Sequence, residues 1–358
     1  MQTEHNYQQQ LLKAIQNVQQ PLALMEVCGT HTMAIARSGL RELAPAHLKL
    51  LSGPGCPVCV TAQRDIDALL YLVREHKVIL ATFGDMMRVP GTNSTLQEER
   101  SRGADIRVVY SPLDALKLAR AYPEQEVVFL GIGFETTIPA VAVCVDTAMK
   151  ENLKNFSLFS LHKIVPPALE LICSDPDLHI NGLICPGHVA AVTGIEPFAH
   201  IAEHFRIPCV VTGFTTLDIL EGIIMLLYQI QHNQAQAEIQ YKRVVKPEGN
   251  YQARQIIDLV FTSAPSSWRG LGILDNSGLV LWDTYQDWDA HKKFNIPEFE
   301  EIPIKGCACG QILTAKQTPP ECALFGSACT PINPIGPCMV SQEGACAAYY
   351  RYQSHISP

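Results

Sequence analysis

The sequence predicts an α/β fold: two related lobes on parallel sheets, followed by a small C-terminal domain rich in cysteine and proline. Three observations carry this. Residues 78–84, 127–133, 183–187 and 209–213 are short, continuous apolar runs closed by glycine, with helical stretches between them. Strands apolar on both faces belong to parallel sheets covered on both sides. The segments Gly133-Phe134-Glu135-Thr136-Thr137 and Gly213-Phe214-Thr215-Thr216 resemble each other, as repeated lobes would. From about Ile296 the texture changes, because prolines at 297, 303, 319, 320, 331, 334 and 337 interrupt any long element and six cysteines crowd the same stretch. The expected units are 1–125, 126–240 and 241–358.

The elements follow in order. Residues 7–19 read as a polar helix with Leu11, Leu12, Ile15 and Val18 on one face. An apolar run at 22–27 ends at Cys28, and a helix is expected from about 33 to 43. A brief run at 48–52 precedes the break Gly53-Pro54-Gly55. After Thr61, Ile66, Leu69, Leu70 and Val73 keep the i, i+3, i+4, i+7 spacing of an amphipathic helix. The four glycine-closed runs come next, each an expected buried strand.

The 358 residues suffice for two or three domains with real cores. Apolar residues make up 47% and charged residues 17%, a balance that folds. Against 27 basic residues stand 35 acidic ones, a net charge of −8 with no basic block, which argues against nucleic acid as a partner. The first residues lack the basic and apolar regions of a secretory signal. The longest apolar run, 127–134, is far short of a bilayer span. The expectation is a cytoplasmic protein without a membrane partner. Cytosolic thiols stay reduced, so the 13 cysteines point to metal or redox use rather than structural disulfides.

Ligands of open α/β sheets sit beyond the carboxyl ends of the strands. Cys28, Gly84-Asp85, 133–137, Pro186-Gly187-His188 and 213–216 all fall at that edge, which points to one cleft. Cys56-Pro57-Val58-Cys59 lets two sulfurs turn toward one point, to share a metal or to close a disulfide. Cys59 is expected near a helix N-terminus, where thiolate is favoured. Half a structural zinc site and a thioredoxin-like pair remain open, though the first wants a second pair nearby and the second a strand directly before it. A lone thiol such as Cys28 is most often a small apolar core residue. Its neighbours Gly29, Thr30, His31 and Thr32 add close backbone approach, hydroxyls and a base. His31 and His188 each fit either a cleft group or a satisfied histidine. Glu135 belongs to neither a phosphate-binding loop nor a dinucleotide fingerprint, and is either a polar cleft group or an acid at a helix N-terminus. Asp85 and Arg88 are weaker candidates.

In the tail, Cys309, Cys322, Cys329 and Cys346 give C-x12-C-x6-C-x16-C, with Cys307 and Cys338 able to substitute. Four soft thiolates among prolines and glycines suit a [4Fe–4S] cluster. Zinc competes, although its sites usually present tight C-x-x-C knuckles and only C-x-C occurs here. Cys144, Cys173, Cys185 and Cys209 read as small core residues.

These motifs, together with Cys329-Thr330-Pro331 and Ser341-Gln342-Glu343-Gly344-Ala345-Cys346-Ala347-Ala348-Tyr349-Tyr350, resemble the hydrogenase-formation HypD family from about residue 20 to the end. The resemblance implies a maturation factor for [NiFe]-hydrogenases, a redox-active scaffold more than a conventional turnover enzyme. It would carry the Fe(CN)2CO group with a small HypC-type chaperone and take cyanide from a HypE-type donor. Cys28 would bind that iron together with a chaperone cysteine. Cys56 and Cys59 would be the redox pair beside it. A [4Fe–4S] cluster on Cys309, Cys322, Cys329 and Cys346 would feed them electrons, in a manner likened to ferredoxin:thioredoxin reductase. His31, Glu135 and His188 would line the cleft. Iron bearing cyanide and CO favours soft, strongly donating ligands such as thiolate. Two other readings stand beside this one: an iron–sulfur thiol/disulfide oxidoreductase and a zinc-stapled α/β binding protein.

Overall fold

In the computed structural model, residues 2–352 are described, with side chains from Asn6 onward. The strands along the chain are β1 (Leu22–Glu26), β2 (Leu48–Ser52), β3 (Val78–Thr82), β4 (Ile106–Val108), β5 (Glu126–Gly133), β6 (Phe156–His162), β7 (Gly182–Pro186), β8 (Cys209–Thr212), β9 (Ala237–Ile239), β10 (Phe261–Trp268) and β11 (Gly272–Leu281). They make two parallel sheets, in the orders β2-β1-β7-β8-β9 and β4-β3-β5-β6, and one antiparallel hairpin, β10-β11. The α/β architecture with parallel lobes and a cysteine-rich tail is therefore as the sequence predicts.

Both sheets follow one plan. Counted within each sheet, the second strand lies outside the first, and the third and fourth lie on its other side. The chain leaves the first sheet after β2, builds all of the second, and returns with β7 beside β1, where Met25 faces Leu183. The expected boundary at residue 125 therefore does not separate the lobes: β3 and β4 precede it, β5 and β6 follow it, and all four share a sheet. An apolar run reveals that a strand is buried but not which strand it pairs with. The look-alike segments are out of step as well. Residues 133–137 follow a third strand and 213–216 follow a fourth, so the counterpart of 133–137 is Pro186-Gly187-His188.

Both faces of the sheets are covered, as parallel strands require. One apolar core lies on the outer face of the first sheet, with Leu24, Ile184, Val210 and Ile219. Another lies outside the second, with Phe129, Val141 and Phe156. The remaining faces of both sheets, through Met25, Leu183, Leu80 and Leu130, share a third core with Cys56, Cys59 and the tail cysteines. The tail thus has no separate core and packs as part of the body.

Local differences have local causes. The helix expected at 33–43 begins at Gly29 and breaks at Gly39, which takes φ of 67° before the short helix Leu40–Leu43. β6 escapes a reading by apolar runs because Ser157 and Ser160 interrupt it. The hairpin slips register between Ala264 and Ser266. Pro265 stands between them and has no N–H for the ladder. Among the described residues, no helix is long and apolar enough to cross a membrane.

Candidate metal and dithiol site

The carboxyl ends of β1, β3, β5 and β7 open into a cleft of about 580 Å³. Cys28 lies half-buried on its wall, at the start of the helix Gly29–Ser38. The loop after β2 is joined to it: Gly29 N–H donates to the Gly55 carbonyl at 2.8 Å. A Cβ at residue 55 would run into the Cys28 backbone, so only glycine permits this approach. Directly after Gly55 come Cys56 and Cys59, joined by a disulfide with Cα atoms 5.2 Å apart, within the ordinary range. Cys56 caps the short helix Pro57–Val60, and Cys59 N–H donates to its Sγ at 3.2 Å. Pro57 and Val58 line the cleft, while the two sulfurs are buried behind them. Cys28 and the dithiol therefore adjoin, with one facing the cavity and the other backing it.

A residue given no role by the sequence reading completes this wall. Glu343, from the tail, accepts a hydrogen bond from Thr30 Oγ1 at 2.7 Å and lines the cleft beside Cys28. The helix Ala345–Tyr352 packs on the helix Gly29–Ser38, which brings Glu343 there. Burial first, and the Glu343 charge second, push the Cys28 thiol up to about 11. Left alone, it is a neutral thiol at pH 7. Glu343 stands one residue after Gln342 in a quoted tail motif, and nothing in its spacing marks it for a site more than 300 residues away in sequence.

The other candidates divide. His188 lines the cleft, its ring 4.0 Å from Phe214, with its ionisation lowered by burial. His31 does not line it. It is fully buried one ring further back, 4.5 Å from Phe214, with Nε2 2.9 Å from both the Gly213 carbonyl and Thr212 Oγ1. The carbonyl requires the proton on Nε2, and burial holds the pKa down to about 4, so the ring is neutral. It is a core histidine that ties the Cys28 helix to the end of β8 through Nε2, while its Nδ1 is buried without a hydrogen-bond partner. Glu135 is also withdrawn: its Oε1 accepts from Val165 N–H at 2.9 Å, at the start of the helix Val165–Cys173. It serves a helix N-terminus, though not that of the helix following it in sequence. Burial raises its pKa to about 7. Asp85 lines the cleft and accepts from Ser341 Oγ at 3.3 Å, whereas Arg88 donates to the Pro331 and Ile332 carbonyls and only ties the second sheet to the tail.

All six tail cysteines, 307, 309, 322, 329, 338 and 346, line one small cavity whose other walls are Ile312, Leu324, Phe325, Gly336 and Met339. The Cys309 and Cys338 sulfurs are 2.8 Å apart, and Ile335 N–H donates to Cys329 Sγ at 3.3 Å. Burial and then the neighbouring thiols Cys309, Cys329, Cys307 and Cys322 raise the pKa of Cys346. Among the described residues, no three His, Cys, Asp or Glu side chains converge on a point that would hold a single metal ion. An all-sulfur, apolar pocket with an amide donor on one sulfur fits the donor set of an iron–sulfur cluster, which spaces its thiolates more widely than one ion does. The pocket adjoins the dithiol: Cys59 Sγ lies 4.0 Å from the Pro337 carbonyl, next to Cys338. Cys144, Cys185 and Cys209 are core residues, as expected, while Cys173 is half-buried.

Comparison with known proteins agrees with these motifs. The HypD family model, described as "Hydrogenase formation hypA family", matches residues 5–353. The chain is 45% identical over 341 residues to the hydrogenase maturation factor HypD of Rhodobacter capsulatus, covering 93% of this chain and 90% of that one. It is 43% identical over 340 residues to the protein of the same name from Escherichia coli strain K12, covering 95% and 91%. It is 42% identical over 336 residues to the hydrogenase expression/formation protein HupD of Azotobacter chroococcum, covering 92% and 89%.

Proposed function

This chain belongs to the HypD family and serves hydrogenase maturation; within that work, we propose that it is the scaffold on which the Fe(CN)2CO group is assembled. Cys28 offers the thiolate for the incoming iron, shared with a cysteine of a HypC-type chaperone, and a HypE-type donor supplies cyanide. The observation that carries this reading is the contact of Cys28 with the Gly55-Cys56 turn, which sets one accessible thiol directly in front of a buried dithiol. Cys28 loses its proton when iron takes the sulfur, since a half-buried thiol beside Glu343 holds its proton otherwise. His188 and Asp85 supply polar groups within the same cleft.

Cys56 and Cys59 store two electrons: opening their disulfide takes up two electrons and two protons and leaves two thiols. Cys309, Cys322, Cys329 and Cys346 are the ligands we assign to a [4Fe–4S] cluster, with Cys307 and Cys338 in the same pocket. Such a cluster supplies single electrons at low potential when bound. The tail places Pro337 against Cys59, the short path by which charge can reach the dithiol.

Infrared spectroscopy of the anaerobic complex with the chaperone tests the scaffold. Wild type is expected to show bands of iron-bound cyanide and CO, and Cys28→Ala to lose them. Persistence of the bands in Cys28→Ala overturns the assignment. Iron and sulfide near four each per chain support the cluster; a colourless protein with stoichiometric zinc favours the zinc-stapled reading. Burial of both dithiol sulfurs speaks against an oxidoreductase that attacks large external disulfides.

A further inference from the structure

Arg269 has no part in the cleft, yet its side chain is only 7% exposed. It stands just after β10. Its backbone N–H donates to the Val60 carbonyl at 2.8 Å, its Nε donates to the Thr61 carbonyl at 3.0 Å, and its Nη1 lies 3.5 Å from Gln63 Oε1. These partners lie one, two and four residues after Cys59. The next residue, Gly270, has φ of 81° and lies against Gly310, the neighbour of Cys309, so closely that a Cβ there would overlap it. The arginine is thus clamped between the dithiol segment and the cysteine pocket.

Its remaining nitrogen, Nη2, is buried without a hydrogen-bond partner, and no carboxylate among the described residues forms an ion pair with it. A buried guanidinium lacking an anion is costly. The nearby anions in prospect are sulfur. Gly270 packs on Gly310, next to Cys309, so the segment that carries Arg269 borders the pocket lined by Cys307, Cys309 and Cys338.

We propose that Arg269 is a positioning residue: it supplies the fixed counter-charge for a sulfur-ligated cluster in the tail pocket, holds that pocket against the Cys56–Cys59 segment, and so raises the potential at which the cluster accepts an electron. The proposal rests on the [4Fe–4S] reading of the pocket. One-electron reduction, by dithionite in the test, adds one negative charge inside a low-dielectric wall, and a fixed cation nearby stabilises that state.

The experiment uses full-length protein reconstituted anaerobically with iron and sulfide, with both counted, and a dithionite titration followed by electron paramagnetic resonance. Wild type, Arg269→Lys and Arg269→Gln are expected to load equally. Arg269→Gln should titrate at a lower potential than wild type, and Arg269→Lys close to wild type. Gln63→Glu keeps the arginine in place but neutralises it with a carboxylate, so it too should titrate lower; it carries the test if Arg269→Gln does not fold. Equal potentials in wild type and in the neutralised variants, at equal iron content, overturn the role of Arg269 while leaving the cluster intact. A wild type that takes up no iron and sulfide overturns the cluster reading and this role with it.

Discussion

After its first strand the first sheet carries Cys28, and after its third it carries His188. At the same two places the second sheet carries Gly84-Asp85 and 133–137. After its second strand the first sheet has the Gly55-Cys56 turn, where the second has Val109 and Tyr110. One strand order therefore delivers thiols and an imidazole from one rim, and mostly apolar wall with a single exposed carboxylate from the other. Parallel topology fixes where loops gather. The side chains on those loops decide which rim offers soft donor atoms. The insertion of the second sheet between β2 and β7 makes the two rims face each other across one cavity.

Substitutions at matched positions break or sharpen this contrast. The largest effect is expected from Cys28→Ala, with complete loss of iron at the cleft, set against Asp85→Asn at the equivalent place, with iron retained. Iron analysis of the chaperone complex checks the pair, and equal losses would make the two rims equivalent. Gly55→Ala comes next. Its Cβ has no space beside the Cys28 backbone, so the two loops must part, at a cost of about 1–3 kcal/mol. Denaturant unfolding and the loss of cleft iron would report it together, and an unchanged midpoint would show that the loops do not depend on this contact.

Glu343→Gln removes a negative charge beside Cys28 but leaves the burial. Thiol alkylation of Cys28 should therefore shift to lower pH while staying above the range of a free cysteine. An unshifted profile would mean that burial acts alone.

The smallest functional effect is expected on the second rim, at Glu135. Its folded pKa, about 7, lies above the unfolded value. Its contribution to stability is therefore full below about pH 4.5 and lost as pH rises through about 7. Glu135→Gln keeps an acceptor for Val165 N–H and removes the charge. It should match wild type in acid and exceed it at pH 8, by up to roughly 3 kcal/mol. Thermal unfolding at the two pH values measures this, and parallel curves would refute it.

Much of this was legible in the order of residues. Val78, Val127, Leu183 and Cys209 begin runs whose continuous apolarity calls for strands buried on both faces, and the glycines that close them mark the functional edge. Cys56 and Cys59 are close enough in sequence to pair without help. The tail cysteines were legible as a set because their chemistry is shared. Glu343 and Arg269 were not: each reaches its place only because distant segments pack, the helix Ala345–Tyr352 on the helix Gly29–Ser38 and the β10–β11 turn on Gly310. His31 and Glu135 sat in motifs that pointed to a cleft, and burial turned both inward.

By itself, then, the chain determined its local elements, its soft donor atoms and the edge at which they lie, since hydrophobic pattern and thiol chemistry are properties of neighbouring residues. Only tertiary structure decided that β3 to β6 form a sheet of their own, that Cys28 rests on Gly55, and that six thiols surround one cavity. Those outcomes depend on which apolar faces bury each other across tens to hundreds of residues, and one-dimensional spacing does not carry that information.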